Sequence, residues 1–558
     1  MKSLLVFKLK PAVVAFCLSA SLLTGCGQSQ HPLADKQIVV GMSYEPLGFY
    51  PLRALDSGSY YAQTLVYEGL VRYGPNVDVV PAIASSFSIS DDGLTYTFKL
   101  REGVRFCDGQ PVTYKDIEAS YRLAQSKGSP FKSDYACIER MEHPDASTVI
   151  LHLSKRSAPL LARLVELRIL PAQITTARDL GKEKLSRTPV GSGPYRLVRW
   201  ESGLELVFEP NEYYWGSKPQ KRLVWRIVPD KTLMAMALNR HELDVAALDA
   251  TSWEVIESGG KRVEIETPLG SNKVEAGPTP PGSAGGPPAP TLPEGIELDT
   301  FPGTRTMYLG FNTKRKPFDD ALVRQAICMG INRTEIARFA YKGLALVPHT
   351  DVIPSSWAFN PDAVNWPYDL TEAQTKLTAA GFKFIGHSWR SSDDKLLAFR
   401  ILTIKDYQDV AQIVSDSLKN LDIPSEVQVV EYATLRQRYL QKHDFDAILW
   451  SRSYGPDPEC SLVWSKSAPL NYSGFENERV EKLIKLGISE LDQSRRAKYY
   501  KEIQSILAKE LPWVFLVQPE LLVAHWSNIG NIKEARQTVT GLPWDNPLFN
   551  AADWRRRD

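Results

Sequence analysis

The stretch SDDGLTYTFKLREGVRFCDGQPVTYKDI, residues 90–117, has the most regular pattern in the chain. Apolar and polar residues alternate without a break over residues 94–100, which predicts a half-buried β-strand. Asp-Gly and Glu-Gly pairs on both sides of this strand predict tight turns. Thr113 followed by Asp116 predicts a capping box that opens a helix. The stretch contains no nucleophile, base or ligand cluster, so we interpret it as scaffold rather than as a binding or catalytic motif.

The N-terminus has the composition of a secretory signal peptide over residues 1–25. Lysines precede the apolar run 11–23, and small residues follow it. The run is shorter than the about 20 apolar residues that a transmembrane helix needs. Cys26 directly follows Leu-Thr-Gly, a pattern that resembles the bacterial lipobox, in which the cysteine is diacylated and becomes the new N-terminus. We therefore expect Cys26 to anchor the mature chain to the membrane, in the periplasm or on the outer face of the cytoplasmic membrane. The alternative is an ordinary signal peptide that happens to contain a cysteine.

Composition indicates an ordinary globular protein. The formal net charge is +1 and 43% of the residues are hydrophobic. The chain is too long for one core, so we expect two or three domains of about 100–200 residues each. Because neither a basic patch nor an acidic tail is present, the sequence argues against a nucleic-acid partner. The arginine triplet at 555–557 is short, and we interpret it as a solvated terminus.

Motifs of catalysis, cofactor binding and metal binding are incomplete throughout the chain. The eight histidines are scattered, and none belongs to a His-Glu-x-x-His motif. Gly191-Ser192-Gly193 does not complete a dinucleotide fingerprint, and residues 386–390 lack the second glycine of a nucleophile elbow. We therefore expect no catalytic residues, no cofactor and no metal, and the sequence argues against an enzyme.

Four cysteines follow Cys26: Cys107, Cys137, Cys328 and Cys460. They lie far apart, without Cys-x-x-Cys or histidine spacing, which does not support a zinc site. In an oxidising compartment Cys107 and Cys137 are the best disulfide candidates, because a bond between them would tie the predicted hairpin to the segment after the capped helix. Cys328 lies in an apolar helical pattern and is expected to be a buried small hydrophobe.

Outside these features, strand and helix patterns mix along the chain. Residues 277–290 are mostly proline and glycine, which predicts a surface insertion; an interdomain linker is the alternative. Residues 317–331 and 371–381 have helical patterns, and residues 445–450 have the pattern of a buried strand.

Several short motifs recur along the chain in a fixed order. They are Tyr67-Glu68-Gly69-Leu70, Val190-Gly191-Ser192-Gly193-Pro194-Tyr195, Gly310-Phe311-Asn312, Pro317-Phe318, Val323-Arg324-Gln325-Ala326-Ile327, Phe445-Asp446, Asp457-Pro458 and Asn471-Tyr472-Ser473. Together with residues 90–117 they resemble the extracytoplasmic solute-binding proteins of the peptide/nickel type, the lipoproteins and periplasmic proteins that serve ABC importers. The resemblance covers nearly the whole chain after the signal peptide.

This resemblance implies an α/β fold with two lobes that form a clamshell, joined by crossover strands, and an additional α+β domain. The expected division is residues 1–25 as the signal peptide, 26–56 as the first segment of lobe I with its tether, 57–185 as the additional domain, 186–305 as the continuation of lobe I with a Pro/Gly-rich insertion at 268–295, 306–510 as lobe II, and 511–558 as the return to lobe I and the C-terminal tail.

The resemblance also implies a function. We expect a lipid-anchored monomer that captures a solute, a peptide or peptide-like compound, and delivers it to the permease subunits of an ABC importer. Two alternatives remain open. One is a non-peptide ligand on the same fold, such as a chelated metal, an oligosaccharide or an opine-like conjugate. The other is a sensor or assembly protein that is not coupled to transport.

The site residues that the resemblance implies lie mainly in one loop. In oligopeptide-binding relatives, the loop after the Phe-Asp strand supplies an aromatic residue and an acidic residue that holds the α-amino group of the peptide. Here that loop spans residues 450–458, and the acidic position falls on Ser453, Tyr454 or Gly455, none of which is a carboxylate. This departure argues against a ligand held by a free N-terminus, and Arg452 favours an acceptor or anionic group.

We expect ligand contacts from nine residues: Tyr44, Glu45, Asn312, Tyr432, Trp450, Ser451, Arg452, Ser453 and Asp457. Three alternatives were open for individual members of this set. Arg452 could pair with a surface carboxylate, Tyr44 and Glu45 could form an ordinary turn after a strand, and the stiff Pro-Asp-Pro sequence could commit Asp457 to its own loop.

Overall fold

The computed structural model describes residues 36–52, 56–74, 78–175, 186–250, 252, 294–532 and 546–557. The predicted signal peptide, Cys26 and the Pro/Gly-rich stretch 277–290 lie outside the described residues. Among the described helices none is both long enough and apolar enough to cross a bilayer.

The strands, numbered in chain order, are β1 (Gln37–Met42), β2 (Val71–Tyr73), β3 (Val79–Pro81), β4 (Ala84–Ile89), β5 (Thr95–Leu100), β6 (Ile138–Glu142), β7 (Thr148–Leu153), β8 (Tyr195–Glu201), β9 (Glu205–Pro210), β10 (Arg222–Ile227), β11 (Val245–Leu248), β12 (Ile296–Phe301), β13 (Arg305–Phe311), β14 (Ala345–Leu346), β15 (Lys383–Phe384), β16 (Trp389–Arg390), β17 (Phe399–Thr403), β18 (Ser425–Val429), β19 (Ala447–Ser453), β20 (Trp513–Pro519), β21 (Leu521–Trp526), β22 (Ile529–Gly530) and β23 (Arg555–Arg556).

The α-helices span Ser57–Val66, Tyr114–Ala124, Leu160–Glu166, Ala172–Thr175, Lys231–Asn239, Ala321–Gly330, Arg333–Tyr341, Leu370–Ala379, Gln408–Lys419, Tyr432–Thr434, Ser461–Trp464, Glu478–Ser489 and Gln493–Glu510. A π-helical turn covers Leu435–Leu440, and short 3-10 turns cover Lys405–Tyr407 and Ala551–Asp553.

The first lobe is built on a seven-stranded sheet with the order β12-β21-β11-β1-β10-β9-β8. The central strand β1 runs parallel to both of its neighbours, β10 and β11. Its inward side chains Ile38 and Val40 pack with Phe208 and Trp225 in a core that excludes water. The helix Ser57–Val66 contributes to this same core, so it belongs to the first lobe and not, as its sequence position suggested, to the additional domain.

The additional domain contains residues 90–117 and is a four-stranded antiparallel sheet with the order β4-β5-β7-β6. The predicted strand is confirmed as β5, whose inward residues Tyr96 and Phe98 are buried. The predicted capping box is also confirmed, since the backbone N and the Oγ1 of Thr113 both donate to Asp116 Oδ2, at 2.7 and 2.8 Å. The stretch is scaffold, as predicted.

The second lobe is built on a six-stranded sheet with the order β14-β20-β13-β19-β17-β18. The predicted helix over 317–331 is confirmed as Ala321–Gly330, and Asp320 caps it by accepting from Leu322 N. Cys328 is buried inside this helix, as predicted. The predicted strand over 445–450 corresponds to β19, which pairs antiparallel with β13.

Two crossovers join the lobes, because β12 and β21 belong to the first sheet while β13 and β20 belong to the second. One crossover passes through residues 302–304 and the other through Glu520. They approach so closely that a Cβ at Gly303 would lie 1.9 Å from the carbonyl oxygen of Pro519. This arrangement confirms the clamshell that the resemblance implied. It also corrects one boundary, since the second lobe extends through β20 to Pro519 and not only to residue 510.

Two motifs that lie far apart in the sequence, residues 67–70 and residues 190–195, meet where the first lobe and the additional domain join. Gly193 N donates to Val66 O at 2.8 Å. A Cβ at Gly191 would lie only 2.1 Å from the same carbonyl oxygen. The glycines are therefore required for this close approach of two backbones.

Glu68 lies at the centre of this joint. Its carboxyl accepts from Ser192 Oγ and from Trp215 Nε1, each at 3.1 Å. Burial raises the pKa of Glu68 to about 7, although these two hydrogen bonds act in the opposite direction. The buried carboxyl is thus fully used by the joint, and this family motif serves packing rather than ligand binding.

The predicted disulfide between Cys107 and Cys137 is wrong, because all four described cysteines are free. Cys137 is buried and its sulfur hydrogen-bonds with Ser157. Cys107 is only partly buried and lies on the turn after β5, where its backbone N donates to Gly191 O at 2.9 Å. Sequence spacing brings the two segments into one domain, but a disulfide also needs a specific side-chain geometry that spacing does not provide.

Candidate functional site

The strands of both lobes end where the two crossovers pass. In the first lobe, β1 and β11 end there. In the second lobe, β19 ends there, and its antiparallel partner β13 begins at the same edge of the sheet. Ligands of open α/β sheets bind in the crevice outside the carboxyl ends of the strands. Two cavities, each of about 240 Å³, lie in this region.

The first of these, which we call the lobe II cavity, is lined by Tyr308, Tyr432, Leu435, Arg436, Leu440, Trp450, Ser451, Arg452, Val463, Leu470, Tyr472 and Trp513. Tyr432 stacks on Trp450 with the ring centroids 5.7 Å apart and an interplanar angle of 19°. Tyr308 and Trp513 form a second stacked pair, 3.8 Å apart. Tyr432 remains 53% exposed, so the first pair offers an open aromatic face to a planar or aliphatic group.

Ser451 and Arg452 are polar members of the lobe II cavity. Ser451 Oγ and the Tyr407 hydroxyl lie 2.7 Å apart, within hydrogen-bond distance. The guanidinium of Arg452 lies 4.9 Å from the centroid of the Tyr454 ring, and its Nη1 is buried. Nη1 has no hydrogen-bond partner, and Arg452 forms no salt bridge within the part of the chain that the structure describes. Pairing of Arg452 with a surface carboxylate is therefore not observed.

Asp351 is a carboxyl on which the charge of Arg452 acts. It is fully buried and accepts from Trp464 Nε1 at 2.7 Å. Burial raises the pKa of Asp351, whereas Trp464 and the charge of Arg452 lower it. The two side chains do not touch, so Arg452 keeps a donor for a further group, and a ligand acceptor would satisfy it.

Asn312, a predicted ligand contact, lies outside both cavity linings and binds backbone groups instead. Its side-chain amide donates to the carbonyl oxygens of His443 and Phe445, at 2.8 and 3.2 Å. Its Oδ1 accepts from Lys314 N at 3.1 Å. Asn312 is buried with every polar atom used, and it fixes the end of β13 to the segment before β19.

Glu45 is also removed from the set of ligand residues. Its carboxylate accepts from Trp200 Nε1, Ser202 Oγ and Gly203 N at 2.6, 2.8 and 3.0 Å. Burial alone would raise the pKa of Glu45, but these hydrogen bonds and Arg187 outweigh it and lower the pKa. An ionised Glu45 thus fastens the segment after β1 to the turn between β8 and β9.

The side chain of Asp457 is held by Arg496, from the helix Gln493–Glu510, and by the backbone of its own segment. Its two carboxylate oxygens accept from Arg496 Nη1 and Nη2 at 2.8 and 2.9 Å. Oδ1 also accepts from Glu459 N at 3.0 Å.

Ser453 ends β19, opposite Arg305 of β13 in the ladder, and it does not line the lobe II cavity.

The second cavity, which we call the hinge cavity, lies between the lobes at the crossovers. Tyr44 lines it, together with Tyr61 and Tyr341, and the rings of Tyr44 and Tyr61 have centroids 6.0 Å apart. Glu520 of the second crossover also lines this cavity. Sequence reasoning missed Glu520 because a single carboxylate between two apolar strands carries no local signal.

The nine predicted residues therefore separate into three groups. Tyr432, Trp450, Ser451 and Arg452 come together in the lobe II cavity, and Tyr44 lies in the hinge cavity. The other four, Glu45, Asn312, Ser453 and Asp457, lie outside both linings. Among the described residues no cluster of three or more metal-ligating side chains occurs.

Two α/β lobes joined by two crossovers, with an aromatic cavity where the strands end, define a two-lobed solute-binding protein. Comparison of the sequence identifies the family. Residues 78–473 match the profile of the bacterial extracellular solute-binding proteins, family 5, and the chain belongs to this family.

The similarity extends over nearly the whole chain. This chain is 26% identical over 521 residues to the oligopeptide-binding protein AppA of Bacillus subtilis, and the alignment covers 90% of each of the two chains. It is 27% identical over 537 residues to the glutathione-binding protein GsiB of Shigella flexneri, covering 93% of this chain and 95% of that relative. The crystal structure of NikZ from Campylobacter jejuni in complex with Ni(L-His) superposes with a TM-score of 0.76 at 20% identity, covering 94% of this chain and 100% of NikZ.

Proposed function

We propose that this protein is a lipid-anchored receptor that captures a peptide or peptide-like solute and delivers it to the permease subunits of an ABC importer, acting as a monomer. The observation that carries the proposal is the lobe II cavity, in which a stacked aromatic pair lies beside a buried arginine donor without a partner. Aromatic walls enclose varied side chains at low entropic cost, and the arginine donor selects an acceptor or an anionic group.

The relatives support a peptide-like ligand. AppA of Bacillus subtilis is an oligopeptide-binding protein and GsiB is a glutathione-binding protein, and each matches this chain over at least 90% of its length. The lobe II cavity has a volume of about 240 Å³, which suits one or two side chains of a ligand that continues along the cleft.

Native mass spectrometry of protein purified without refolding tests the proposal. A tightly held solute remains bound through gentle purification, and its mass identifies it. We expect a peptide or a peptide conjugate. A tightly bound ligand without any amide bond would contradict the peptide-like assignment.

Arg452→Ala is expected to weaken binding of the ligand recovered in this way by about 1–3 kcal/mol, the range for a hydrogen bond to a charged group. Calorimetry of the two proteins with that ligand measures the difference. Arg400→Ala is the matched control, because Arg400 is an exposed arginine of β17 whose guanidinium contacts Gln428 and not the cavity. Equal losses in both variants, or no loss in Arg452→Ala, would contradict the role assigned to Arg452.

A non-peptide solute is the second candidate ligand class, such as a chelated metal, an oligosaccharide or an opine-like conjugate. The observation that favours it is that the loop 450–458 presents Arg452, while its single carboxylate, Asp457, is occupied by Arg496. NikZ holds Ni(L-His) on the same fold. Elemental analysis of the native complex identifies a chelate by its stoichiometric metal, and the ligand mass from native mass spectrometry distinguishes a peptide from an oligosaccharide or an opine-like conjugate.

The lipid anchor at Cys26 has its own test. Cys26→Ser should abolish incorporation of labelled fatty acid and leave the precursor unprocessed by the lipoprotein pathway, or release it as soluble protein, because the acylated thiol is lost. Cys17→Ser, in the apolar part of the same signal, is the matched control and should keep the label. Fatty-acid labelling of Cys26→Ser would show that another group carries the anchor.

A further inference from the structure

The hinge cavity receives side chains from both lobes. Tyr44 and Tyr61 come from the first lobe, Tyr341 comes from the second, and Glu520 belongs to the crossover between β20 and β21. Glu520 N donates to Leu344 O at 3.0 Å, which fixes the position of this residue. A group bound here would contact both lobes and one of the two segments that join them.

One oxygen of the Glu520 carboxyl, Oε2, is buried and has no hydrogen-bond partner among the described residues. Burial raises the pKa of Glu520 to about 7, and no charge within the described part of the chain shifts this pKa in either direction. A buried carboxylate without a partner is unfavourable, so this position is stabilised by any cation that enters the cavity.

The cationic side chains of the cavity do not fill this role. Lys231 and Arg305 line the same cavity, and Lys231 Nζ lies 3.2 Å from Asp249 Oδ2. Neither Lys231 nor Arg305 lowers the pKa of Glu520. Of the residues that the structure describes, the titratable and charged groups that face the cavity are Glu520, the pair of Lys231 and Asp249, Arg305, and the three tyrosines.

We infer that the hinge cavity is a subsite for an organic cation, an ammonium or guanidinium group of the ligand, which pairs with the Glu520 carboxylate between the tyrosine rings. Tyrosine rings attract cations through their faces, and the buried carboxylate adds a charge-assisted hydrogen bond. The inference rests on the proposed function, because it assigns the cationic end of the same solute. It also accounts for a ligand amine in a chain whose 450–458 loop has no carboxylate to spare.

The pairing makes binding depend on pH. Only the ionised carboxylate attracts the cation, and the pKa of Glu520 in the empty protein is about 7. Affinity for a cation should therefore rise between pH 5.5 and pH 8.5, and the bound cation should lower the pKa of Glu520. An uncharged analogue of the cation should show no such rise.

The experiment uses phenethylammonium chloride as the cationic probe and 2-phenylethanol as its uncharged counterpart, with ligand-observed NMR titrations of the full mature protein. At pH 8.5 the wild type should bind the cation at least about tenfold more tightly than the alcohol. This preference should be lost in Glu520→Gln and, in the wild type, at pH 5.5. The matched control Glu212→Gln removes an exposed carboxylate outside the cavity and should keep the preference.

Folding of Glu520→Gln is checked at pH 5.5, where the wild-type carboxyl is protonated and glutamine resembles it, so the two thermal unfolding curves should agree. A cation preference that survives in Glu520→Gln, or that is absent from the wild type at pH 8.5, would overturn the inference. Titration with trialanine tests the proposed function separately. If trialanine binds and the probe preference is absent, the Glu520 subsite is wrong; if the probe preference is present and no peptide binds, the subsite stands and the peptide assignment is wrong.

Discussion

Gly191→Ala should lower the free energy of unfolding by at least about 3 kcal/mol, the upper end of the range for overpacking a buried site. A Cβ at this position would lie 2.1 Å from the carbonyl oxygen of Val66 and 2.6 Å from Cδ1 of Tyr67. The first contact is with backbone, which cannot rotate away. Relief requires the joint between the first lobe and the additional domain to open, which also breaks the hydrogen bond from Gly193 N to Val66 O.

Chemical denaturation of wild type and variant measures this effect. Gly48→Ala is the matched control, because it lies in the same lobe and its added Cβ would meet Ser186 Cβ at 3.3 Å, which small shifts relieve. The control should lose less than about 1 kcal/mol. A Gly191→Ala protein as stable as the Gly48→Ala protein would show that the two motifs do not meet as closely as the structure indicates.

The fold could be predicted from the sequence because its signals are local or ordered. Alternation over residues 94–100 depends only on the two-residue period of a strand, and the cap at Thr113 depends on a spacing of three residues. The order of the short motifs then fixed the architecture. The boundaries failed where a segment packs against a sheet far away in the sequence, as the helix Ser57–Val66 and β20 do.

The site was less predictable, because a side chain's role depends on partners that the sequence does not place next to it. Asn312 meets His443, and Glu45 meets Trp200, more than 130 residues away in both cases. Tyr308 and Trp513 lie in apolar strand sequences, a pattern typical of core residues, although together they line the lobe II cavity. The four predicted residues that come together in the lobe II cavity include three that are consecutive in β19, where the strand itself keeps them together.

The buried ion pair of Asp457 and Arg496 predicts a second large loss of folding stability. Asp457→Asn should lower the free energy of unfolding by about 3–5 kcal/mol, because a buried arginine then keeps its charge without a counter-ion. The side chain of Arg496 is only 6% exposed, and it also donates from Nε to Gly487 O at 2.9 Å. The guanidinium cannot turn out to water without leaving that carbonyl, so it remains in place and unpaired.

Glu502→Gln is the matched control, because Glu502 holds Arg479 through the same two-point contact, at 2.6 and 2.8 Å, on the surface. Exposed pairs contribute about 0–1 kcal/mol, so this variant should unfold almost as the wild type does. Equal losses in the two variants would contradict a special role of burial at Asp457.

The peptide affinity of the Asp457→Asn variant is a second measurement, independent of its stability. Since both carboxylate oxygens are held by Arg496, the substitution should leave the relative affinity for free and N-acetylated peptides unchanged, measured by calorimetry below the unfolding range. A strong preference for the free amine that vanishes in Asp457→Asn would mean that the ligand, not Arg496, is the partner of this carboxylate. The 450–458 loop would then hold a peptide N-terminus after all, and the assignment of the ligand's cationic end to the hinge would be wrong.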